Sequence, residues 1–139
     1  MRKVLVITND ESWRQQFLKE GTKGDAQLSF VRDLRAKGIR DRISENDWIV
    51  LDATLLPRPE STGTNSIREL LRGKSIVAVY TPGTPVGLSQ YRSSSIVGAC
   101  GLVKKPYTGG EIALFFEHSE LEQQYAEMRR SWRPTIMHR

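Results

Sequence analysis

The sequence predicts an α/β domain built on a doubly wound, five-stranded parallel sheet with an extended C-terminal helix, and three observations predict it. The first is a set of short apolar runs rich in β-branched residues: Val4 to Ile7, Trp48 to Leu51, Ile76 to Val79 and Gly101 to Val103, each closed by small, polar or turn-forming residues. Their near-continuous hydrophobicity is what a sheet covered by helices on both faces requires. The second is that a segment with helical spacing separates each run from the next. Parallel neighbours cannot be joined by tight hairpins, so this alternation implies crossover connections. The third is size: 139 residues, 38% hydrophobic and 27% charged, suit one core.

Taken in order, Val4 to Ile7 is the first strand, and Trp13, Phe17 and Leu18 mark the first helix. Ala26 to Val31 alternates more weakly and reads as an edge strand. A second helix is expected over Leu34 to Ile43, and the third strand over Trp48 to Leu51. Ile67, Leu70 and Leu71 give the third helix, which Gly73 closes. After the strand Ile76 to Val79 come Pro82, Gly83, Pro85, Gly87 and Ser93-Ser94-Ser95, so the fourth helix should be short, late-starting or mobile.

The last helix should run from Glu111 to about Trp132, where Pro134 ends it. Ile112, Ala113, Phe115 and Phe116 give it a broad face for packing on the sheet. Leu114, His118, Leu121, Tyr125, Met128 and Trp132 recur at alternating spacings of four and three, which makes one further stripe. The chain accordingly divides into a domain over 1–117 and a helical extension and tail over 118–139. The distal stripe either folds back on its own domain or pairs with a second copy or a partner helix.

Composition excludes several classes. Cys100 is the lone cysteine, which rules out an internal disulfide, and with only His118 and His138 beside it a zinc site has too few ligands. Cys100 is expected to be a small apolar residue. No apolar run is long enough to span a bilayer, and the first strand is too short for a signal peptide, so a cytoplasmic protein is expected. The formal net charge is +5. Basic residues concentrate only at Arg129, Arg130, Arg133 and Arg139 around Trp132, where a solvated helix end serves as well as a nucleic-acid contact. No Gly-rich phosphate loop follows the first strand, which argues against a flavin or nucleotide site.

In open α/β sheets the chemistry lies beyond the carboxyl ends of the strands. That rule selects Thr8, Asn9 and Asp10 after the first strand, Asp52 after the third, Tyr80 and Thr81 after the fourth, and Lys104, Lys105 and Pro106 after the fifth. Here a resemblance enters. Asp47-Trp48-Ile49-Val50-Leu51-Asp52 resembles the third strand of bacterial two-component response-regulator receiver domains, which ends in the phosphorylated aspartate. Gly98-Ala99-Cys100-Gly101-Leu102-Val103-Lys104-Lys105-Pro106-Tyr107 is similar to their Gly-Ala pair, short strand, Lys-Pro and aromatic. The likeness covers roughly residues 2–117 and implies a flavodoxin-like fold.

It also implies roles. Asp52 would be the phosphoryl acceptor, Lys105 the cation on the phosphoryl oxygens, and Thr81 or Tyr80 the hydroxyl that senses the new group. Pro106 would follow a cis peptide. A carboxylate attacks a phosphoryl group only where cations offset the repulsion between anions. In receivers, magnesium held by acidic residues after the first strand does much of this. Here one register puts Thr8 and Asn9 at the acidic pair, and another puts Asn9 and Asp10 there. A weak or absent magnesium site formed by Asn9, Asp10 and Asp52 is therefore expected. Pro57 falls one residue later than the family's proline, so the loop Arg58 to Gly63 should be reshaped.

Plainer readings stand beside these. Asp52 suits a loop cap, Lys105 a surface lysine, Tyr80 a core or rim aromatic, and Thr8 and Asn9 helix-capping turn residues. The reading as a whole is a non-enzymatic phosphorelay module without an attached output domain, partnered by a histidine kinase or another signalling protein. The alternative is a degenerate receiver that takes no phosphate and acts only as an interaction module.

Overall fold

The computed structural model describes residues 2–20, 26–83 and 86–137. The elements are β1 (Arg2–Ile7), α1 (Glu11–Glu20), β2 (Ala26–Val31), α2 (Ile39–Ser44), β3 (Trp48–Asp52), a 3-10 turn (Ala53–Leu55), α3 (Thr62–Leu70), β4 (Ser75–Tyr80), α4 (Leu88–Ile96), β5 (Ala99–Lys104) and α5 (Gly109–Met137). The five strands form one parallel sheet in the order β2-β1-β3-β4-β5. The chain thus winds one way from β1 and then the other, and its reversal point lies between β1 and β3.

Alternation within the strands builds two cores. Val4, Val6, Trp48, Val50, Val77 and Val79 face one side, where Trp13 and Phe17 of α1 and Ile112 and Phe116 of α5 cover them. Leu5, Ile7, Ile49, Leu51 and Ile76 face the other, against Ile43 of α2, Leu71 after α3 and Val97 after α4. Both faces are covered, which is why the strands read as unbroken apolar runs. The register sets Ile7 beside Leu51, Asp52 beside Val79, and Tyr80 beside Lys104. The carboxyl ends of four strands therefore stop along one edge.

Three expectations change. Helix α2 begins at Ile39 rather than Leu34. Asp33 Oδ1 accepts the backbone N–H of Arg35 at 2.6 Å, which favours a turn, and Gly38 takes the left-handed region at φ 76°, so no helix can pass through it. Helix α5 does not stop before Pro134 but continues to Met137. A proline there forfeits one hydrogen bond and crowds the carbonyl four residues back, but so near the end of the helix few further turns depend on it. Cys100, expected among the apolar residues, is exposed on the edge strand β5 and donates its thiol to the Ile76 carbonyl at 3.0 Å. Covering of the sulfur nonetheless pushes the thiol up from its ordinary pKa.

Helix α4 starts late, eight residues past the end of β4. Ser93, unhelpful to helix propensity, docks it: the side chain is buried and donates to the Pro57 carbonyl at 2.7 Å, while Ser94 donates within the helix to the Gln90 carbonyl at 3.0 Å. Pro85 lies outside the described residues. The loop before α3 is closed by Ser61, whose hydroxyl accepts the Gly63 N–H, and by Thr64, which donates to the Arg58 carbonyl.

Phe116 fills the core between α5 and Trp48, with ring centroids 4.1 Å apart. Phe116→Ala should cost about 3–5 kcal/mol in urea unfolding at fixed protein concentration. Arg72→Ala, which breaks only an exposed pair with Glu69 at 3.6 Å, should stay within about 0.5 kcal/mol of the parent.

Candidate functional site

At the end of β1 the Thr8 backbone N–H closes onto the Val31 carbonyl, and the Thr8 side chain turns into the protein, 3% exposed. Its hydroxyl donates to Asp52 Oδ2 at 2.7 Å and accepts the Asp10 N–H at 3.0 Å. Asp10 in turn caps α1, with Oδ1 accepting the Trp13 N–H at 3.1 Å.

Asp52 ends β3 and starts the 3-10 turn. Its Oδ1 accepts the N–H of Thr54 at 3.1 Å and the Thr54 hydroxyl at 2.8 Å. Its Oδ2 accepts Thr8 and the Lys105 ammonium, the latter at 2.8 Å. Two carboxylate oxygens offer about four acceptor positions, and all are filled. Lys105, just past β5, also places its ammonium 2.9 Å from Asp10 Oδ2 and 3.0 Å from Thr81 Oγ1. Its three N–H groups are thereby all assigned. The backbone fixes the base of this lysine: its N–H donates to the Tyr80 carbonyl at 3.0 Å, and the Lys105–Pro106 peptide is cis.

The ion pairs are buried to different degrees. The Lys105 side chain is 6% exposed, that of Asp52 1% and that of Asp10 28%. Burial raises the Asp10 carboxyl, but the hydrogen bond from Lys105, the Trp13 and Ser12 N–H groups and the Lys105 charge outweigh it and hold the group below its ordinary value. The face of the Trp13 ring lies 4.8 Å from the ammonium and adds a cation–π contact.

No family model matches the sequence, and no curated protein does. Solved structures do. The chain is similar to the chemotaxis response regulator CheY4 of Vibrio cholerae, with TM-score 0.60 and 20% identity over 85% of this chain and 98% of that one. A CheY-like response regulator receiver domain protein from Methanospirillum hungatei matches with TM-score 0.58 and 19% identity over 91% and 98%. A Burkholderia pseudomallei response regulator, solved with a phosphorylated aspartic acid, calcium ion and citrate, matches with TM-score 0.57 and 13% identity over 98% and 86%. The chain has the receiver-domain fold.

Within that fold, four residues singled out from the sequence meet: Asp52, Lys105, Thr81 and Asp10. Of the two hydroxyls after β4, it is Thr81 that reaches the ammonium, while Tyr80 contributes its carbonyl. Asn9 is exposed on the loop, outside this hydrogen-bonded cluster. Among the described residues no group of three or more His, Cys, Asp or Glu is placed to hold a metal ion. Magnesium needs near-octahedral oxygen ligands at about 2.0–2.1 Å. Here the carboxylates of Asp10 and Asp52 already share one ammonium, and Thr8 offers Asp52 a proton rather than a negative charge. The residues as arranged do not fit a divalent cation.

Two contributors escaped the sequence reading. Thr54 stands two residues after Asp52, a spacing typical of an aspartate-led turn, and could have been found from it. Trp13 read only as a core residue of α1, although its ring lies against Lys105 and its indole N–H donates to the Tyr107 carbonyl at 3.2 Å.

The Asp10 shift carries a sign. A carboxylate held below its ordinary value stabilises the fold above the unfolded pKa of about 3.8, and that contribution disappears as pH falls through the folded value. Asp10→Asn should therefore be less stable than the parent at pH 7, with the gap closing as the pH drops below about 4. Urea unfolding of both proteins from pH 7 to 3 checks this, and a gap that stayed constant would refute it.

Proposed function

We propose that the chain is a signalling module of the receiver type, with Asp52 as phosphoryl acceptor and output through contact with another protein. The Lys105 ammonium on Asp52, with Thr81 bonded to that same ammonium, carries this reading. Transfer would join a carboxylate oxygen of Asp52 to phosphorus while the donor's leaving oxygen or nitrogen departs with the bonding electrons. The Lys105 ammonium is placed to face the charge that accumulates on the phosphoryl oxygens. Thr81, already bonded to that ammonium, is the hydroxyl that would exchange the lysine for the new phosphoryl group. A histidine kinase or another signalling protein is the expected donor. The Burkholderia protein with its phosphorylated aspartate supports the assignment by likeness of fold.

A second reading rests on one contact. The Thr8 hydroxyl on Asp52 Oδ2 completes a shell that leaves the carboxylate no idle lone pair. To attack, Asp52 has to shed at least one hydrogen bond, and no metal cage stands ready to compensate. If it never does, the cluster is a structural core and the module signals by binding alone.

Intact-mass analysis after incubation with a small phosphodonor and magnesium separates the two. The expected result is slow labelling, lost in Asp52→Asn. Absence of labelling at every donor concentration would remove the acceptor role and leave the interaction module. Thr8→Asp with Asn9→Asp should raise magnesium affinity by about tenfold or more in calorimetry. The crowded carboxylates should lower stability in metal-free buffer.

A further inference from the structure

Helix α5 carries two apolar faces, and its own domain uses one. Ile112, Ala113 and Phe116 are buried against the sheet at 0%, 9% and 0% exposure. Leu114, Leu121, Tyr125 and Met128 are exposed at 67%, 52%, 61% and 46%. The helix is continuous from Gly109 to Met137, so it does not fold back to cover them. Seam spacing makes Leu121 and Met128 one kind of layer, and Tyr125 and Trp132 the other.

Charge says what covers this seam. From Glu111 to Met128 the sequence holds Glu111, Glu117, Glu120, Glu122 and Glu127 and no lysine or arginine. From 129 to 139 it holds Arg129, Arg130, Arg133 and Arg139 and no acid. Such a helix is complementary to itself only when reversed, since a parallel pair sets acid on acid and base on base. Register follows from the positions flanking the seam. Stacking Tyr125 on Met128 of a second copy, and Leu121 on Trp132, brings Glu122 of each copy alongside Arg129 of the other. Sliding by one heptad, so that Tyr125 meets Leu121, brings Glu122 against its own counterpart.

We propose that α5 pairs with α5 of a second copy as an antiparallel two-stranded coiled coil over about residues 116–137, in the register that sets Glu122 against Arg129. The overlap then spans the distal part of the helix, and the two domains sit at opposite ends. This inference is independent of any phosphoryl chemistry at Asp52.

Sedimentation of the full chain should show a monomer–dimer equilibrium that weakens as salt rises. Leu121→Gln with Met128→Gln should raise the dissociation constant by about a hundredfold or more while the circular dichroism of the domain persists. Glu122→Arg should weaken pairing by about tenfold, and adding Arg129→Glu should restore it. Orientation is read by disulfide trapping in a Cys100→Ser background. A chain with Leu121→Cys should cross-link to a chain with Trp132→Cys but not to itself, because in this register the two Leu121 positions lie about 16 Å apart along the axis. Self-cross-linking of Leu121→Cys would overturn the antiparallel arrangement. A wild-type chain that stays monomeric up to about 1 mM would overturn the pairing altogether.

Discussion

Lys105 carries an ammonium into a place where a bare charge would be expensive, and the edge of the sheet is arranged around meeting that cost. Taking a lysine out of water costs several kcal/mol unless oxygens replace the lost hydration. The replacements come from three directions: Asp10 at the entry to α1, Asp52 at the end of β3, and Thr81 beyond β4. None of these residues is near Lys105 in sequence. Only the parallel register, which stops β1, β3, β4 and β5 along one line, brings them within reach. The sheet order and the charge cluster thus depend on each other. Removing Lys105 would leave the buried carboxylate of Asp52 without its cation, which typically costs more than the pair contributes when whole.

The parts of this arrangement legible in the sequence are those that leave a local pattern. Val4 to Ile7 and Ile76 to Val79 are apolar on both sides because both faces of the sheet are covered, and a strand buried twice cannot be confused with an amphipathic one. Asp52, Thr81 and Lys105 were accessible because the strand-end rule turns topology into position. What stayed hidden was set by partners distant in the chain. Helix α2 lost its first turns to Gly38 and to the side chain of Asp33, although the apolar spacing from Leu34 to Ile43 looks continuous. Ser93 lowers helix propensity in sequence and docks α4 on Pro57 in space, a tertiary contact that no local signal shows.

Thr8 illustrates the same limit at the site itself. In one of the two registers the sequence allows, it is a loss, a hydroxyl where the receiver likeness calls for a carboxylate. In the fold it is a donor, and its 2.7 Å bond joins the end of β1 to Asp52. A hydroxyl at this point meets Asp52 with a hydrogen bond where a carboxylate would meet it with repulsion. On the proposed reading the same hydroxyl would make Asp52 a poorer nucleophile, because each lone pair committed to a hydrogen bond would have to be released before it could reach phosphorus. Stability of the resting cluster and readiness to react are therefore opposed at a single side chain.

Helix α5 poses the converse problem, a surface with too few contacts rather than too many. Its first two turns are fixed by the core through Ile112 and Phe116, and this orientation, not the helix's own propensity, directs Leu121, Tyr125 and Met128 away from the sheet. A helix that served only to cover the sheet would have no reason to keep a second apolar stripe in phase over four more turns. Chance accounts poorly for the stripe and the division of charge together, since the segregation of glutamates before Met128 from arginines after it also favours the helix against its own dipole. That dipole argument alone would be met by an isolated helix. The apolar stripe is not, because in water it remains an exposed hydrophobic patch until another surface removes it. An oppositely directed helix of the same sequence along the seam, as proposed, would satisfy the two features at once.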